Sequence, residues 1–192
     1  MPRETYDSIA ESYSKTDSSL TKEHVAKPTL ISLLGNTKEK RVIDLGCGSG
    51  YSTRIIRETG AEEVTGVDIS SEQILLARSI ENKQPLGIVY HQCSVNDDSF
   101  LQFQDFDIAV ALYLLHYSST RNELYNICRN IYHALHPGGM LVAVNSNPES
   151  PILTNIKYGI TAEINAPVME GAVRKVTYLN NSKQICSFET YF

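Results

Sequence analysis

A short stretch with three glycines in five residues constrains this 192-residue chain more than any other feature. Residues 42–45, Val-Ile-Asp-Leu, have the apolar character of a buried strand. The strand is followed directly by Gly46, Gly48 and Gly50, in the spacing G-x-G-x-G, and from Tyr51 the pattern favours a helix. Glycine accepts positive φ angles and has no side chain to hold a ligand away, and the first N–H groups of a helix are unpaired. This order of elements predicts a site where the backbone contacts a small ligand.

The glycine spacing narrows the choice of ligand. A dinucleotide-binding turn needs G-x-G-x-x-G, and here Tyr51 stands at the position of its third glycine. Asp44 at the strand end would also repel a pyrophosphate. The stretch D-L-G-C-G-S-G at 44–50 closely resembles motif I of the class I S-adenosylmethionine-dependent methyltransferases. That cofactor carries an ammonium and a sulfonium and no phosphate, so a nearby carboxylate favours it. The alternative is a glycine turn without a ligand, although packing alone does not require three glycines there.

The rest of the chain predicts a single α/β domain. Strand and helix patterns alternate over a Rossmann-like core at 41–145, as in a doubly wound, mostly parallel sheet. The strand patterns cover 42–45, 64–67, 88–90, 106–112 and 140–144, and the helix patterns cover 51–60, 71–81 and 122–135. N-terminal helices are predicted within 1–36, at 4–14 and at 21–34, with a kink or a restart at Pro28.

The alternation ends at residue 145, and we expect an antiparallel β addition at 158–192. Three strand patterns lie there, at 160–164, 173–179 and 184–192, with a hairpin turn at 180–183. This tail resembles the substrate-side sheet that is inserted in some small-molecule methyltransferases. The complete class I fold has a further helix and a sixth and seventh strand as a hairpin. The resemblance therefore implies that this chain, by truncation, lacks the family's last helix and strand pair, an expectation that is wrong if 164–192 supplies those strands.

An acidic residue at the end of the second strand predicts a nucleoside-type ligand. Asp68 stands 18 residues after Gly50, where its two oxygens can accept hydrogen bonds from both hydroxyls of a ribose. Dinucleotide folds use the same arrangement, so Asp68 indicates a ribose more firmly than it indicates one cofactor. A helix-capping role is the alternative, but Ser70 with Gln73 three residues later fits a capping box better.

The resemblance implies the remaining cofactor contacts. Tyr6 and Tyr13, in a Y-D-x-x-A-x-x-Y segment, would cover the cofactor in the family, although they would equally form the apolar face of a packing helix. Ser94 stands where the family often has an acid for the adenine amino group, and Val95 would offer its backbone N–H. The predicted cofactor-binding residues are Tyr6, Tyr13, Asp44, Gly46, Cys47, Gly48, Gly50, Asp68, Ile69, Ser94, Val95, Ala111 and Leu112.

Methyl transfer is an in-line displacement that mainly needs binding, orientation and exclusion of water, so no prominent catalytic motif is expected. His116, after the fourth strand, is the best candidate for a general base, with a packing or solvated loop role as the favoured alternative. Tyr113 and Tyr117 would line the methyl path or pack at its rim. An N/D-P-P-Y/F motif is absent, which argues against DNA adenine and glutamine-type acceptors, and so is the Pro-Cys nucleophile of cytosine-carbon enzymes.

Composition excludes several other classes of protein. The formal net charge of −5 and the absence of basic runs argue against a nucleic-acid partner. We expect no signal peptide and no membrane span, since no apolar segment is long enough. The four cysteines are scattered, and the five histidines lack zinc-type spacing. These features predict a cytoplasmic protein without a metal centre, and an unpaired C-terminal edge strand would favour a homodimer.

Three functions stay open at this point. The first is a cytoplasmic S-adenosyl-L-methionine-dependent methyltransferase that acts on an oxygen, nitrogen or carbon of a small molecule. The chain is most similar in style to stand-alone bacterial methyltransferases of secondary metabolism, including the toxoflavin-pathway type. The second is a cofactor-binding domain that is inactive or needs a partner, and the third is a nicotinamide-dependent dehydrogenase, against which the glycine spacing argues.

Overall fold

A computed structural model of the chain describes two β-sheets with helices packed around them. The described residues are 3–147, 153–155, 158–164, 167, 169–180 and 183–191.

The first sheet has five parallel strands in the order β3-β2-β1-β4-β5. The strands are β1 (Arg41–Leu45), β2 (Glu63–Asp68), β3 (Val89–Gln92), β4 (Phe106–Leu112) and β5 (Leu135–Val144). The central strands β1 and β4 are buried along most of their length, as expected when helices cover both faces. The strand order reverses between β1 and β4, and in such sheets ligands bind outside the carboxyl ends at the point of reversal. The predicted doubly wound α/β class is confirmed.

Five α-helices accompany the sheet in the described residues. They are α1 (Arg3–Ser14), α2 (Lys27–Leu34), α3 (Tyr51–Glu58), α4 (Ser71–Lys83) and α5 (Arg121–Ala134). Short 3₁₀ turns occupy Lys15–Ser18, Asp98–Gln102 and Leu115–Tyr117. The helix predicted at 21–34 restarts near Pro28, one of the two expected outcomes. A π-helical turn (Lys22–Ala26) precedes α2 and puts Pro28 in the first turn of α2, where its missing N–H costs nothing. The predicted cap of α4 is present, because Ser70 Oγ accepts a hydrogen bond from Gln73 N at 3.2 Å.

The second sheet is antiparallel, with the strand order β6-β7-β8-β9. Its strands are β6 (Leu153–Asn155), β7 (Ile160–Ile164), β8 (Val173–Asn180) and β9 (Lys183–Tyr191). The sequence predicted three of them; β6 is too short to show a periodic pattern. Asn180 pairs with Lys183 at the predicted hairpin, whose tip at 181–182 lies outside the described residues. These strands form a sheet of their own and do not supply a sixth and seventh strand to the parallel sheet.

The start of β5 differs from the prediction. A break was expected at 136–139, but β5 begins at Leu135, directly after α5. Leu135 pairs with Phe106 and Met140 pairs with Ile108, so the intervening residues of β5 bulge opposite a single residue of β4, Asp107. The bulge places His136 Nε2 at 3.1 Å from Asp107 Oδ1.

Three clusters of buried side chains hold these layers together. One lies on each face of the parallel sheet, and the third lies under the antiparallel sheet. In the third cluster, Val176 and Phe188 of the antiparallel sheet pack with Tyr117, while Tyr6 and Tyr13 of α1 close it from the side. Helix α1 and the Leu115–Tyr117 turn therefore join the two sheets.

The Gly50→Ala variant tests the packing of the glycine turn against Tyr90. A Cβ at Gly50 would overlap the hydroxyl oxygen of Tyr90, and the φ angle of Gly50 is +92°. We expect Gly50→Ala to lower the free energy of unfolding by about 3 kcal/mol, the sum of left-handed backbone strain and overpacking. Gly60→Ala is the matched control, since φ is +101° but nothing lies within 4 Å, and it should cost only about 1 kcal/mol. Urea denaturation measures both, and Tyr90→Phe should recover part of the Gly50→Ala loss. Equal losses at the two glycines would contradict the packing described.

Candidate active site

The glycine turn after β1 has the backbone geometry that its sequence predicts. Gly46, Gly48 and Gly50 have φ angles of +69°, +55° and +92°. The N–H groups of Gly46 and Cys47 both donate to the carbonyl of Val67, at 2.8 and 3.0 Å. The turn is therefore held against the end of β2, where an L-residue with a Cβ would be strained.

Asp68 is hydrogen-bonded directly to this turn. Its Oδ2 accepts from Gly48 N and its Oδ1 accepts from Ser70 N, each at 2.8 Å. A carboxylate has about four acceptor positions, so both oxygens keep capacity for a ligand. Burial raises the pKa of Asp68 above its ordinary value, and the backbone N–H groups of Ser70 and Gly48 oppose that shift.

The turn and Asp68 line a cleft at the point where the strand order reverses. We call it the turn cleft; it has about 650 Å³ of unfilled space, including its open side. Eight of the predicted cofactor-binding residues line it: Tyr6, Tyr13, Gly46, Gly48, Asp68, Ile69, Val95 and Leu112. The structure thus brings together residues from α1, from the glycine turn and from the ends of three parallel strands.

Five predicted residues do not line the turn cleft: Asp44, Cys47, Gly50, Ser94 and Ala111. Cys47 and Ala111 face the hydrophobic core, and Gly50 lies against the ring of Tyr90. Ser94 Oγ accepts from Asn96 N at 3.3 Å instead of facing the cleft. The glycine pattern predicted the correct turn but not the direction in which each of these side chains leaves the backbone.

Asp44 is the most informative of these five residues. A carboxylate beside the ligand was expected, but Asp44 is fully buried below the turn and its Oδ2 accepts from Ser52 Oγ and Thr53 Oγ1 of α3, each at 2.7 Å. Its Oδ1 is buried without a hydrogen-bond partner in the described residues. Burial raises the pKa of Asp44 to about 6, although the two hydroxyls oppose this.

Sequence reasoning missed two residues that line the turn cleft, Cys93 and Leu114. Leu114 Cδ1 lies 3.1 Å from the place where a Cβ on Gly46 would be, which is a second reason for glycine there. Tyr113 precedes it with a φ of +58°, an uncommon conformation for a residue with a large side chain. The position directly after β4 was the available signal, but it does not identify which side chains turn inward.

The N-terminal segment covers the turn cleft and is attached to it at several points. Asp7 of α1 accepts from Ser70 Oγ at 2.6 Å and from Glu72 N at 3.3 Å. Asp17 accepts from Ser49 Oγ of the glycine turn at 3.0 Å. The hydroxyls of Tyr6 and Tyr117 are hydrogen-bonded to each other. The position of α1 is thus fixed by polar contacts with both sides of the cleft.

A second cleft adjoins the first, between the parallel and antiparallel sheets. This aromatic cleft has about 1040 Å³ of unfilled space, including its open part. Its lining is Tyr13, Thr21, Lys22, Val25, Tyr113, His116, Tyr117, Asn145, Ser146, Asn147, Ile160, Arg174, Val176, Tyr178, Phe188 and Thr190. Three tyrosines, Tyr13, Tyr113 and Tyr117, line both clefts. A group that passes between the clefts therefore passes these three rings.

His116 lines the aromatic cleft but not the turn cleft. Its ring centroid is 4.8 Å from that of Tyr117. Burial, and then the charge of Arg174, lower the pKa of His116 to about 4, so the ring is neutral at pH 7. Its Nδ1 is buried without a hydrogen-bond partner in the described part of the chain. A neutral imidazole with a free ring nitrogen can accept a proton or a hydrogen bond.

Metal-binding and membrane-spanning features are absent from the residues that the structure describes. These residues contain no group of three or more His, Cys, Asp or Glu side chains that could hold a metal ion. Within the same residues, no helix has the length and apolar character needed to cross a membrane.

Comparison with known proteins identifies the fold that carries these clefts. A family model described as a methyltransferase domain matches residues 42–139, which run from β1 into β5. The chain belongs to the methyltransferase domain family. The resemblance seen in the sequence is thereby confirmed, and the match includes both the glycine turn and Asp68.

Individual relatives agree on the family and differ in the atom they methylate. N-demethylindolmycin N-methyltransferase of Streptomyces griseus is 30% identical over 146 residues, which are 73% of this chain and 61% of the relative. Ubiquinone biosynthesis O-methyltransferase of Bordetella avium is 27% identical over 120 residues, 62% of this chain and 48% of the relative. An S-adenosylmethionine-dependent methyltransferase of Mesorhizobium loti superposes with a TM-score of 0.58 at 25% identity, over 81% of this chain and 63% of that one. The chain thus spans less than two thirds of the length of these relatives.

The buried carboxyl of Asp44 predicts a pH-dependent stability. Between pH 6 and its ordinary pKa of 3.8, Asp44 is protonated in the folded state and ionised in the unfolded state. Acidification through this window therefore stabilises the folded state, by about 3 kcal/mol for a shift of this size. We expect the free energy of unfolding of the wild type, minus that of Asp44→Asn, to grow by about 2 kcal/mol from pH 7 to pH 4, because at pH 4 the unfolded carboxyl is still mostly ionised.

Denaturant unfolding at both pH values measures this difference, and Asp107→Asn is the control. The N–H of Arg41, followed by the side chain of Lys40, lowers the pKa of Asp107 to about 2, so its contribution does not grow on acidification to pH 4. A difference for Asp44→Asn that stays constant with pH would show that this carboxyl ionises normally in the folded protein.

Proposed function

We propose that the chain is an S-adenosyl-L-methionine-dependent methyltransferase that acts on an oxygen, nitrogen or carbon atom of a small molecule. The observation that carries the proposal is the pair of adjoining clefts, one built on the Gly48–Asp68 hydrogen bond and the other aromatic, with a wall of three tyrosines in common. Methyl transfer needs two ligands held end to end, and this arrangement provides a separate cleft for each of them.

The residues of the turn cleft fit the parts of this cofactor. Asp68 has free acceptor capacity for two ribose hydroxyls, and the glycine backbone allows close approach of the ligand. Ile69 and Val95 provide apolar surface for a base. The faces of Tyr6 and Tyr13 favour a cationic centre. When bound, the cofactor supplies a methyl group activated by the sulfonium.

The chain itself would then orient the two ligands, exclude water from them and supply a proton acceptor. Helix α1 covers the turn cleft and would exclude water from it. Tyr113, held at a positive φ, lies at the junction of the two clefts. His116 faces the aromatic cleft as a neutral ring. With a pKa of about 4 it is a weak base, so it would take the proton of a hydroxyl or amine acceptor only as the methyl group is transferred, when that proton becomes acidic.

The proposal also covers the cellular location of the protein, the class of its methyl acceptor and its oligomeric state. We infer a cytoplasmic location, which the four unpaired cysteines support. The net charge of −5 supports a small-molecule acceptor over a nucleic acid. The C-terminal strand β9 lies at an edge of the antiparallel sheet among the described strands, which supports a homodimer formed by edge pairing.

Binding of S-adenosylhomocysteine tests the proposed cofactor site. We expect calorimetry to give micromolar binding by the wild type and at least about 100-fold weaker binding by Asp68→Asn, because an amide NH₂ cannot accept two of the hydrogen bonds. Asp107→Asn is the matched control: it also removes a carboxylate that is bonded to the backbone, but at the opposite end of the sheet, so its affinity should be unchanged. Equal affinity in Asp68→Asn, or binding of NAD in place of S-adenosylhomocysteine, would contradict the proposal.

The turnover rate of the His116→Ala variant tests the proposed role of His116 as a general base. For an acceptor that must lose a proton, we expect kcat to fall about 100-fold or more. Because the pKa of His116 is about 4, the wild-type rate should show no loss of activity near pH 6.5, where an ordinary histidine titrates. His24→Ala, at an exposed position outside both clefts, is the control. Full turnover in His116→Ala would remove the base role and leave a packing role.

A further inference from the structure

We propose that Asp17 and Lys22 form a charge-balancing pair that decides how tightly the turn cleft binds a cationic ligand relative to a neutral one. This inference rests on the proposed function, since it concerns the choice between the charged cofactor and its uncharged product at the same site. It is carried by the burial of Lys22, by the contact of Lys22 with Tyr13 and by the contact of Asp17 with the glycine turn.

Lys22 is a buried cation beside the wall that the two clefts share. It is 7% exposed, and its ammonium lies 4.5 Å from the ring centroid of Tyr13 and 5.5 Å from that of Tyr51. Tyr13 lines both clefts, and Tyr51 is the first residue of α3. A cation this close to a ring interacts with the same π-electrons that would attract a sulfonium. An unbalanced charge at Lys22 would therefore disfavour a second cation beside Tyr13.

Asp17 supplies the balancing charge. Its Oδ1 accepts a hydrogen bond from Lys22 Nζ at 2.7 Å, and its Oδ2 accepts from Ser49 Oγ at 3.0 Å. Ser49 stands between Gly48 and Gly50, so this carboxylate joins the ion pair directly to the glycine turn. The side chains of Lys22 and Asp17 are both largely shielded from water, so salt and solvent screen the two charges less than they screen charges on the surface.

The charges of both residues reach the tyrosines of the shared wall. Burial raises the pKa of Tyr113, and the charge of Lys22 opposes that rise. Burial, and then the charge of Asp17, raise the pKa of Tyr13. The two charges thus act on the same wall with opposite signs, and each offsets the other there.

Stability alone does not explain this pair. Two charges lose free energy when they leave water, and replacing a buried ion pair by apolar residues of similar volume is often neutral or stabilising. The rings of Tyr13 and Tyr51 would also pack on an aliphatic side chain at position 22. An ion pair at this position is instead suited to set the electrostatic potential beside the clefts.

A comparison of two ligands tests the inference. S-adenosylmethionine and S-adenosylhomocysteine differ by one methyl group and one positive charge, and calorimetry gives the ratio of their affinities for each variant. In Asp17→Asn the charge of Lys22 is unbalanced, and we expect S-adenosylmethionine to lose at least about fivefold in affinity relative to S-adenosylhomocysteine. In Lys22→Met the carboxylate is unbalanced, and the ratio should shift by at least about fivefold in the opposite direction.

Three further variants separate charge from packing. The double variant Asp17→Asn/Lys22→Met removes both charges, and Lys22→Arg keeps both, so each should have the wild-type ratio. The pair of Lys15 and Glu11, 3.6 Å apart and exposed in the same N-terminal segment, is the matched control. Lys15→Met should leave the ratio unchanged, because water screens an exposed charge.

The ratio distinguishes the possible failures. A loss of packing would weaken both ligands together and leave the ratio unchanged. Binding of both ligands with the wild-type ratio in Asp17→Asn and in Lys22→Met, or a shift in the same direction in both, would overturn the inference. Failure of the wild type to bind either ligand would contradict the proposed cofactor itself. If circular dichroism shows that one of the two single variants does not fold, the direction of the shift in the other decides.

Discussion

The hydrogen bond from Gly48 N to Asp68 Oδ2 is the contact on which the rest of the site depends. It joins the loop after β1 to the end of β2, and it can form only while the turn keeps positive φ angles at its glycines. The same turn starts α3 and leaves its backbone open toward the cleft. A single local requirement, that three residues lack a Cβ, thus sets the direction of a helix, the placement of a carboxylate and the shape of a ligand cleft.

The local pattern predicted most of the fold, because strands, helices and turns depend on short-range physics. The parallel sheet, the cap at Ser70 and the roles of the three glycines as turn residues were all readable from periodicity and residue type. Side-chain direction was not, since it depends on packing between distant elements. Asp44 therefore turned out to face Ser52 and Thr53 of α3. The pairing of α1 with the second sheet, and the inward position of Arg174, likewise follow from strand register that no single segment displays.

Burial shifts the pKa of an acid below the glycine turn and the pKa of a base in the aromatic cleft in opposite directions. It raises the pKa of Asp44 and lowers that of His116, so both groups are driven toward their neutral forms. The charged side chains that line the clefts are Asp68 at the turn cleft and Lys22 and Arg174 at the aromatic cleft, among the described residues. Among the described residues, the charged side chain that lines the turn cleft is therefore an acid, and those that line the aromatic cleft are bases.

Helix α1 has a kinetic consequence because it borders both clefts through Tyr13. An outward movement of that helix would break contacts such as those of Asp7 with Ser70 and Glu72, and it would widen both clefts at once. In the proposed enzyme, the exchange of the two ligands would then be coupled through one movement. If that movement were slower than the chemical step, the opening rate of one N-terminal helix would set an upper limit on the number of turnovers per second.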